Sequence, residues 1–174
     1  MGEPIIRIRR ATELDEKAIR LLVRGERLNP MDLDWPNFIV AAEGDAVVGA
    51  VQMRQHSDGS RELGSLVVSQ GSRGRGIARR LIEALLAAEH EPVWLITSEA
   101  FAATFARWGF QPVEAGAAPV KVRLNHRLGS LAGLLSLVMG RPRRRLVILE
   151  RLPRQAIRPT RRSARMEAAA AGGR

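Results

Sequence analysis

Residues 72–76 read Ser-Arg-Gly-Arg-Gly, a composition suited to binding an anion. They separate an apolar, strand-like segment from a helical pattern that begins at Ile77. Glycines allow several backbone N–H groups to approach a ligand together, and the amino end of a helix adds partial positive charge to the full charges of the guanidinium groups. We therefore expect a diphosphate to bind this turn. The alternative is an ordinary connection whose arginines are solvated.

Spacing excludes two common phosphate-binding motifs at this turn. No Gly-Lys-Ser/Thr follows the glycines, which excludes a Walker loop, and the glycines do not match the G-x-G-x-x-G spacing of dinucleotide-binding folds. The turn therefore predicts a phosphate site of another kind.

The pattern around the turn predicts a mixed α/β (α+β) fold with the turn after a central strand. Alternating apolar residues indicate strands, and apolar residues at intervals of three and four indicate helices. In order, we predict a strand at 5–9, a helix starting at a Thr12–Asp15 capping box, two antiparallel hairpins over 38–68, a helix at 77–89, a strand at 93–97 and a short helix at 101–108. From the strand before the turn onward, the chain reads strand, helix, strand, helix.

The first helix is predicted to bury one apolar stripe. The members of this stripe, at helical spacing, are Leu14, Ala18, Leu21, Leu22 and Gly25. The sequence Asn29-Pro30 predicts the end of the helix near Leu28, because proline disfavours helical backbone in the residue before it.

Length and composition predict one domain with a basic tail. The 174 residues are 45% hydrophobic, enough for a single core, and the net charge is +10. Residues 151–174 contain seven arginines against one glutamate, and large apolar residues are scarce from residue 160 onward. We expect a folded domain over 1–153 and a disordered, arginine-rich tail over 154–174.

The absence of cysteine excludes disulfides and thiolate chemistry, and it is consistent with a cytoplasmic location. His56, His90 and His126 are dispersed, so no metal site is predicted and each is expected at the surface. We expect neither a secretory signal nor a membrane span. The apolar segment 128–140 is expected to form a core or surface-lying helix, and its burial in a homodimer is an open alternative.

The motif Arg73-x-x-Gly76-x-Ala78 resembles the acetyl-CoA motif, Q/R-x-x-G-x-G/A, of the GNAT superfamily of N-acyltransferases. Its context agrees over residues 5–150: FARWGF looks like the family's short helix ending in a Gly-Phe step, and LVILERL looks like its final strand. The resemblance implies a mixed central sheet, flanked by helices, that splays open between the strands at 63–68 and 93–97. Acetyl-CoA would lie in that wedge.

The same resemblance implies two contact regions for acetyl-CoA. Its pyrophosphate would accept hydrogen bonds from the backbone amides of Arg73, Gly74, Arg75, Gly76, Ile77 and Ala78. Its pantetheine arm would pair, like an added strand, with the backbone of Leu66, Val67 and Val68. Backbone donors are expected to dominate over the two arginine side chains.

The implied chemistry is direct attack of a neutral amine on the thioester. Counting back from Arg73, Glu62 falls where histone acetyltransferases of this superfamily carry their general-base glutamate. Proton removal could be direct or relayed by water. The alternative is a solvated glutamate paired with Arg61 or Arg54.

The sequence departs from the family at the group that would protonate the leaving thiolate. Many members carry a tyrosine in the short helix before the Gly-Phe step, but Phe105 stands at the matching position and the chain has no tyrosine. Ser98 and Thr104 are the candidate hydroxyl donors, with water or unassisted thiolate departure as alternatives. Ser98 also matches the family's usual asparagine. Helix capping is the alternative interpretation for both hydroxyls.

The acceptor site is expected in the connection at 28–37, where members of the family usually line their acceptor pocket. Asp32 and Asp34 could attract a cationic amine, and Trp35 could cover its hydrocarbon part. The alternative is a solvated loop in which Trp35 closes the edge of the core.

The resemblance thus predicts an acetyl-CoA-dependent N-acetyltransferase acting on a small-molecule or protein amine. The alternative is a catalytically weak or inactive CoA-binding protein whose basic tail contacts nucleic acid or an anionic surface. The tail lacks the aromatic residues with which single-strand binders stack bases, so such contact is expected to be weak.

Overall fold

Seven strands and four α-helices make up the part of the chain that the structure describes. This structure is a computed structural model, and it describes residues 5–26, 32–138 and 145–153, with backbone alone for 132–138. The strands are β1 (Ile6–Arg10), β2 (Phe38–Glu43), β3 (Ala46–Gln55), β4 (Arg61–Val68), β5 (Val93–Ser98), β6 (Gln111–Val113) and β7 (Leu146–Arg151). The helices are α1 (Glu16–Gly25), α2 (Ile77–Ala87), α3 (Glu99–Phe105) and α4 (Val120–Val138). The predicted tail at 154–174 lies outside the described residues.

All seven strands belong to one sheet, in the order β1-β2-β3-β4-β5-β7-β6. Among these strands, β4 and β5 pair in parallel, because α2 carries the chain back across the sheet between them, and the other neighbouring strands are antiparallel. This order confirms the predicted mixed sheet flanked by helices.

The sheet splays open between β4 and β5. Residues Arg61–Leu63 pair with Val93–Leu95, and the register ends there although β4 continues to Val68 and β5 to Ser98. From Gly64 onward, β4 therefore has a strand partner, β3, on one side alone within the described part of the chain. The predicted wedge is present.

A β-bulge lies where the wedge begins. Ala50 of β3 pairs with Val67 and Gln52 pairs with Gly64, so two residues of β4 stand opposite one residue of β3. One of the two is Ser65, whose φ of 50° is unusual for a residue other than glycine. The extra residue shifts the side-chain alternation of β4 by one position.

Two helices cover each face of the sheet. On one face, α2 buries Ile77, Leu81 and Leu85 in a cluster that also contains Phe105 of α3. Gly49 of β3 lets α2 approach closely, because a Cβ there would lie 3.2 Å from side-chain atoms of Ile77 and Leu81. The α2 face therefore holds the largest apolar cluster.

The opposite face carries two smaller apolar clusters. One forms around Ile19 and Val23 of α1, and the other around Val122 of α4, which packs with Trp94 and Ile148. Polar side chains of β3 and β4 also lie on this face, where Arg54 of β3 bonds to Glu62 of β4 and Glu62 accepts a hydrogen bond from Asn125 of α4. This face is therefore the one that carries the candidate chemistry.

The predicted apolar stripe of α1 is wrong in part. The buried residues are Ile19 and Val23, whereas Leu14 is 93% exposed and Leu21 is 62% exposed. The reason is that α1 begins at Glu16, after a short 3₁₀ turn that contains Leu14. A different set of residues of α1 therefore faces the sheet.

The capping group before α1 is a buried aspartate, as predicted from Thr12 and Asp15. Asp15 accepts hydrogen bonds from the Arg9 guanidinium at 2.6 and 2.9 Å, and from the amide and hydroxyl of Thr12 at 2.8 and 2.9 Å. The hydrogen bonds from Arg9, with those from Thr12, lower the pKa of Asp15 to about 2. This contact fixes the end of β1 against the start of α1.

The helix α4 is longer than the predicted apolar segment, because it begins at Val120 rather than near Leu128. Its first turn is held by Asp58, which accepts a hydrogen bond from the Lys121 amide at 3.0 Å. Hydrogen bonds from Ser60 and from that amide lower the pKa of Asp58 to about 2. A side chain of the β3–β4 turn thus positions α4 over the sheet. The short strand β6 was not predicted.

Candidate active site

The glycine turn between β4 and α2 has the backbone geometry that the sequence predicted for an anion site. Gly74 and Gly76 have φ values of 79° and 70°, in the left-handed region that favours glycine, and Gly76 directly precedes α2. A Cβ on either glycine would meet no atom within 4 Å. Glycine is therefore required here by backbone conformation, and the space beside it is open to a ligand.

Backbone amides converge at this turn. The first-turn amides of α2, including those of Ile77 and Ala78, have no acceptor within the helix, since the first hydrogen bond inside it runs from Arg80 to the Gly76 carbonyl at 3.1 Å. The Arg73 amide differs, because it approaches the Gln70 carbonyl at 3.4 Å. The backbone amides expected to bind a pyrophosphate are thus adjacent in the chain. Of these, the Arg73 amide already contacts a carbonyl.

The two arginine side chains of the turn are held by carboxylates. Arg73 forms an ion pair with Glu26 and donates from Nε to the Val68 carbonyl at 3.1 Å. Arg75 pairs with Glu43 at 2.9 Å. These contacts favour the expectation that the amides, rather than the guanidinium groups, are the main donors to a bound diphosphate.

The open edge of β4 runs from the bulge to the glycine turn. Leu66, Val67 and Val68 lie there, with β3 on one side and the wedge on the other. Val67 is buried, and Leu66 and Val68 pack partly against the α2 cluster. In the described part of the chain their backbone has no strand partner on the wedge side, where an extended ligand could pair with it, although the Val68 carbonyl accepts a hydrogen bond from Arg73.

Glu62 lies at the closed end of the wedge, and it is 3% exposed. Its Oε1 accepts a hydrogen bond from Arg54 at 3.0 Å, and its Oε2 lies 3.0 Å from His56 Nε2 and accepts a hydrogen bond from Asn125 at 3.0 Å. Glu62 is thus a buried carboxylate in contact with one permanent cation and one histidine. The alternative prediction of a solvated glutamate is therefore wrong, because Glu62 is buried. Its predicted pairing with Arg54 is confirmed.

The contacts of Glu62 extend into a longer polar network. Arg54 also donates to Ser65 Oγ at 3.0 Å, Ser65 donates to Gln52 Oε1 at 3.3 Å, and the Gln52 amide donates to the Asp32 carbonyl. Gln52, Arg54 and Ser65 are all buried. The network therefore connects the base candidate to the predicted acceptor loop.

Gly64 provides the space in which Arg54 lies. A Cβ at Gly64 would come within 2.6 Å of an Arg54 guanidinium nitrogen. Glycine at the start of the wedge is thus required by a side chain that packs over the backbone.

Several members of this network were missed by sequence reasoning. His56 was predicted to be a surface residue, but its side chain is 11% exposed and contacts Glu62. One available signal was the alternation of Gln52, Arg54 and His56 along the end of β3 and the residue after it. This alternation places the three polar side chains on one face of the sheet. No comparable signal marks Asn125, because its contact with Glu62 depends on where α4 packs.

The candidate hydroxyl donors lie on the next strand and helix. Ser98 occupies the N-cap position of α3 with extended backbone, but its side chain makes no capping hydrogen bond, and Thr104 is exposed on the same helix. Phe105 is buried and packs its ring against Trp108 and Phe110. The position that matches the family's tyrosine is thus occupied by a core side chain.

The acceptor loop is described from Asp32 onward. Asp32 has a φ of 57° and is exposed, Asp34 is exposed and accepts a hydrogen bond from the Asn37 amide at 3.1 Å, and Trp35 is half-buried. The link from the Asp32 carbonyl to Gln52 brings this loop to the edge of the polar network. The half-burial of Trp35 is compatible with both of its interpretations.

A family model described as the acetyltransferase (GNAT) domain matches residues 34–112. This range contains the wedge, the glycine turn and Glu62. Residues 34–112 are thus a GNAT acetyltransferase domain. The resemblance read from Arg73-x-x-Gly76-x-Ala78 is thereby confirmed, and the family supports an acyltransferase.

Solved structures similar to this GNAT chain agree in fold. N-acetylglutamate synthase from Neisseria gonorrhoeae, solved with coenzyme A and L-arginine, is 18% identical with a TM-score of 0.66, over 87% of this chain and 34% of its own. An acyl-CoA N-acyltransferase from Pseudomonas aeruginosa is 16% identical with a TM-score of 0.57, over 84% of this chain and 98% of its own. This chain therefore spans about a third of the synthase, and the likeness to it is one of fold.

A third similar structure is diaminobutyrate acetyltransferase EctA from Paenibacillus lautus, solved with its substrate L-2,4-diaminobutyric acid and coenzyme A. It is 13% identical with a TM-score of 0.56, over 86% of this chain and 96% of its own. No curated protein sequence gives a significant match to this chain. Two of these three structures were solved with coenzyme A.

Within 5–26, 32–138 and 145–153, no group of three or more histidine, aspartate or glutamate side chains is arranged to hold a metal ion. In the same ranges, no helix combines the length and the apolar character needed to cross a membrane.

Proposed function

We propose that this chain transfers the acetyl group of acetyl-CoA to a primary amine by direct attack of the amine on the thioester. The observation that carries the proposal is the sequence of features along β4. The strand begins at a buried carboxylate, Glu62, continues as an open edge at 64–68, and leads into the amide-rich turn at 73–78. One strand thus aligns a base, a binding edge and an anion site.

On the donor side, the backbone of the turn binds the pyrophosphate of acetyl-CoA. The amides of Gly74, Gly76, Ile77 and Ala78 supply hydrogen bonds, and the amino end of α2 supplies partial positive charge. The pantetheine arm pairs with the free edge of β4 at Leu66–Val68, which holds the thioester in the wedge. Orientation by this edge lowers the entropic part of the barrier.

On the acceptor side, Glu62 removes a proton from the attacking amine. The amine nitrogen forms a bond to the thioester carbon, the carbon–sulfur bond breaks, and coenzyme A leaves as the thiolate. Glu62 accepts the proton that the nitrogen loses, and His56 Nε2 lies 3.0 Å from its Oε2. Ser98 or Thr104 is the proposed proton donor to the thiolate.

The acceptor enters beside the loop of Asp32, Asp34 and Trp35. The two exposed carboxylates attract a cationic amine, and the link from the Asp32 carbonyl to Gln52 holds the loop against the network that contains Glu62. EctA, which is similar to this chain in fold, has L-2,4-diaminobutyric acid as its substrate. That substrate is an amine, which supports an amine as the acceptor of this chain.

Two measurements test the proposal. The first is calorimetric titration with acetyl-CoA and with NAD at two salt concentrations, which separates selective binding from general anion attraction by arginines. The second is detection of the released thiol with an aromatic disulfide across a panel of amines. The chain contains no cysteine, so the protein contributes no background to this assay. Salt-tolerant binding of acetyl-CoA with amine-dependent thiol release is expected.

The second candidate function is CoA binding without efficient transfer. It is favoured by two observations: both carboxylate oxygens of Glu62 already have partners, and the family's tyrosine position is a buried phenylalanine. Selective acetyl-CoA binding without thiol release from any amine would support this function. Equal affinity for NAD and acetyl-CoA would contradict both functions.

A further inference from the structure

The outward face of α4 is apolar along three turns. Val120, Leu124, Leu128 and Leu131 recur at intervals of four, four and three residues, and they are between 47% and 62% exposed. Such residues lie on one face of a helix. Scattered exposed leucines are ordinary, whereas a continuous row of them marks a contact surface. We call these four residues the α4 stripe.

The inward face of α4 is already occupied. Val122 is fully buried against Trp94 and Ile148, Asn125 donates to Glu62, and His126 Nε2 lies 3.1 Å from the Leu146 carbonyl. The α4 stripe is therefore additional to the packing that holds the helix on the sheet.

The segment that carries the α4 stripe is rich in cations, and the acidic side chain described at its start is Asp58, which binds the Lys121 amide. Residues 115–149 contain no aspartate or glutamate and seven cations, which are Lys121, Arg123, Arg127, Arg141, Arg143, Arg144 and Arg145. Lys121 and Arg127 are exposed beside the stripe, and Arg145, exposed just before β7, is paired with Glu99 at 3.5 Å. The arginines at 141, 143 and 144 lie outside the described residues. Among the described residues, Lys121 and Arg127 therefore give the surface beside the stripe its positive charge.

This charge distinguishes the possible partners of the stripe. Two copies of the chain meeting through α4 would bring two cationic segments together with no acidic residue of 115–149 to offset them, so a homodimer through this face is disfavoured. An anionic lipid surface meets both properties, because acyl chains accept the apolar side chains and phosphates accept the cations.

We propose that α4 is an interfacial helix that lies on an anionic lipid bilayer. The side chains of the α4 stripe insert at the boundary between headgroups and acyl chains, and Lys121 and Arg127 contact lipid phosphates. This inference does not depend on the proposed acetyl transfer. Because Asn125 lies on the same helix and bonds to Glu62, bilayer binding would bring the polar network close to the lipid surface.

The test is co-flotation of the full-length protein with vesicles. One set contains phosphatidylcholine alone, and the other contains phosphatidylcholine with a minority of phosphatidylglycerol. We expect flotation with the anionic vesicles and not with the neutral ones. The double variant Leu124→Ser with Leu128→Ser is expected to bind the anionic vesicles roughly tenfold more weakly, because it removes half of the inserted stripe.

The matched control is the double variant Leu14→Ser with Leu21→Ser, which removes two exposed leucines elsewhere on the chain. It is expected to bind the anionic vesicles as the unchanged protein does. Both variants alter exposed positions, and circular dichroism with thermal unfolding verifies that they fold. Equal vesicle binding by both variants would overturn the proposal, since the arginine-rich tail alone would then explain attraction to the lipid.

Two other results would also overturn the proposal. Light scattering could find a dimer that Leu124→Ser with Leu128→Ser dissociates, which would make a second copy the partner of the stripe. Alternatively, the unchanged protein could fail to float with anionic vesicles while an acidic peptide shifts its Leu128 resonances, which would make an acidic protein the partner.

Discussion

The glycine turn at 73–78 and the polar network around Glu62 lie at opposite ends of β4, and they are built in different ways. The turn is contiguous in sequence and uses backbone amides, so its chemistry depends on two left-handed glycines and a helix start. The network joins side chains from β3, β4 and α4, including one contact between residues 62 and 125. Local backbone sites are therefore sensitive to conformation, whereas assembled side-chain sites are sensitive to packing.

The largest expected effect is at the turn. Gly76→Glu should weaken acetyl-CoA binding by on the order of 1000-fold, about 4 kcal/mol, because it strains a left-handed position and puts a carboxylate next to the diphosphate. Calorimetry measures the affinity.

The control for this variant is Gly59→Glu in the β3–β4 turn. Gly59 has a φ of 81° and, as at Gly76, a Cβ added there would meet no atom within 4 Å, so the substitution introduces similar strain far along the chain from the turn. It should leave acetyl-CoA affinity unchanged. Unchanged affinity in folded Gly76→Glu would contradict the assignment of the turn.

The second effect should change turnover at the Glu62 network without changing acetyl-CoA binding at the turn. Glu62→Gln should lower turnover by on the order of 100-fold while acetyl-CoA affinity stays the same, because it removes a base without altering the backbone donors. The deficit should be largest at low pH, where a larger fraction of the amine acceptor is protonated. Steady-state rates across pH, together with calorimetry, measure both quantities.

Glu89→Gln is the matched control, since the Glu89 side chain is 7% exposed and pairs with Arg61 at 2.7 Å. Turnover in this variant should stay close to that of the unchanged protein. If Glu62→Gln had the same rate as the unchanged protein at every pH, Glu62 would have no part in proton removal.

The contrast between the two sites also explains what could be predicted from the sequence. The motif from Arg73 to Ala78 was recognisable because adjacent residues carry it, and the order of strands and helices around it followed from periodicity. His56 and Asn125 were missed because their contacts with Glu62 depend on strand register and on the packing of α4. The same limit applied to Leu14, whose exposure follows from where α1 begins.

The third effect should leave both sites intact. Asp15→Asn should lower the free energy of unfolding by about 2 kcal/mol at neutral pH, because the pKa of Asp15 is about 2 in the folded protein, below its ordinary value near 4. Since the lowered pKa stabilises the ionised form, this contribution is present above about pH 4 and is lost as pH falls toward about 2.

Denaturant unfolding at several pH values measures this loss. Asp45→Asn, at an exposed turn position, is the control and should show no such dependence. A stability difference that stayed constant from pH 7 down to pH 2 would show that the ion pair with Arg9 is not its source.

The smallest expected effect links the two kinds of site, because it changes the network through a backbone position. Gly64→Ala would place a Cβ within 2.6 Å of the Arg54 guanidinium, so Arg54 must move away from Glu62 or Ser65. Turnover should fall by roughly tenfold, the cost of about 1.4 kcal/mol expected for one weakened hydrogen bond to a charged group. Acetyl-CoA affinity should be unchanged, since Gly64 precedes the binding edge at 66–68.

Gly116→Ala, where a Cβ meets no atom within 4 Å, is the control. A loss of affinity equal to the loss of turnover would mean that the bulge at Ser65 shapes the donor edge as well as the network, and the two ends of β4 would then be one site.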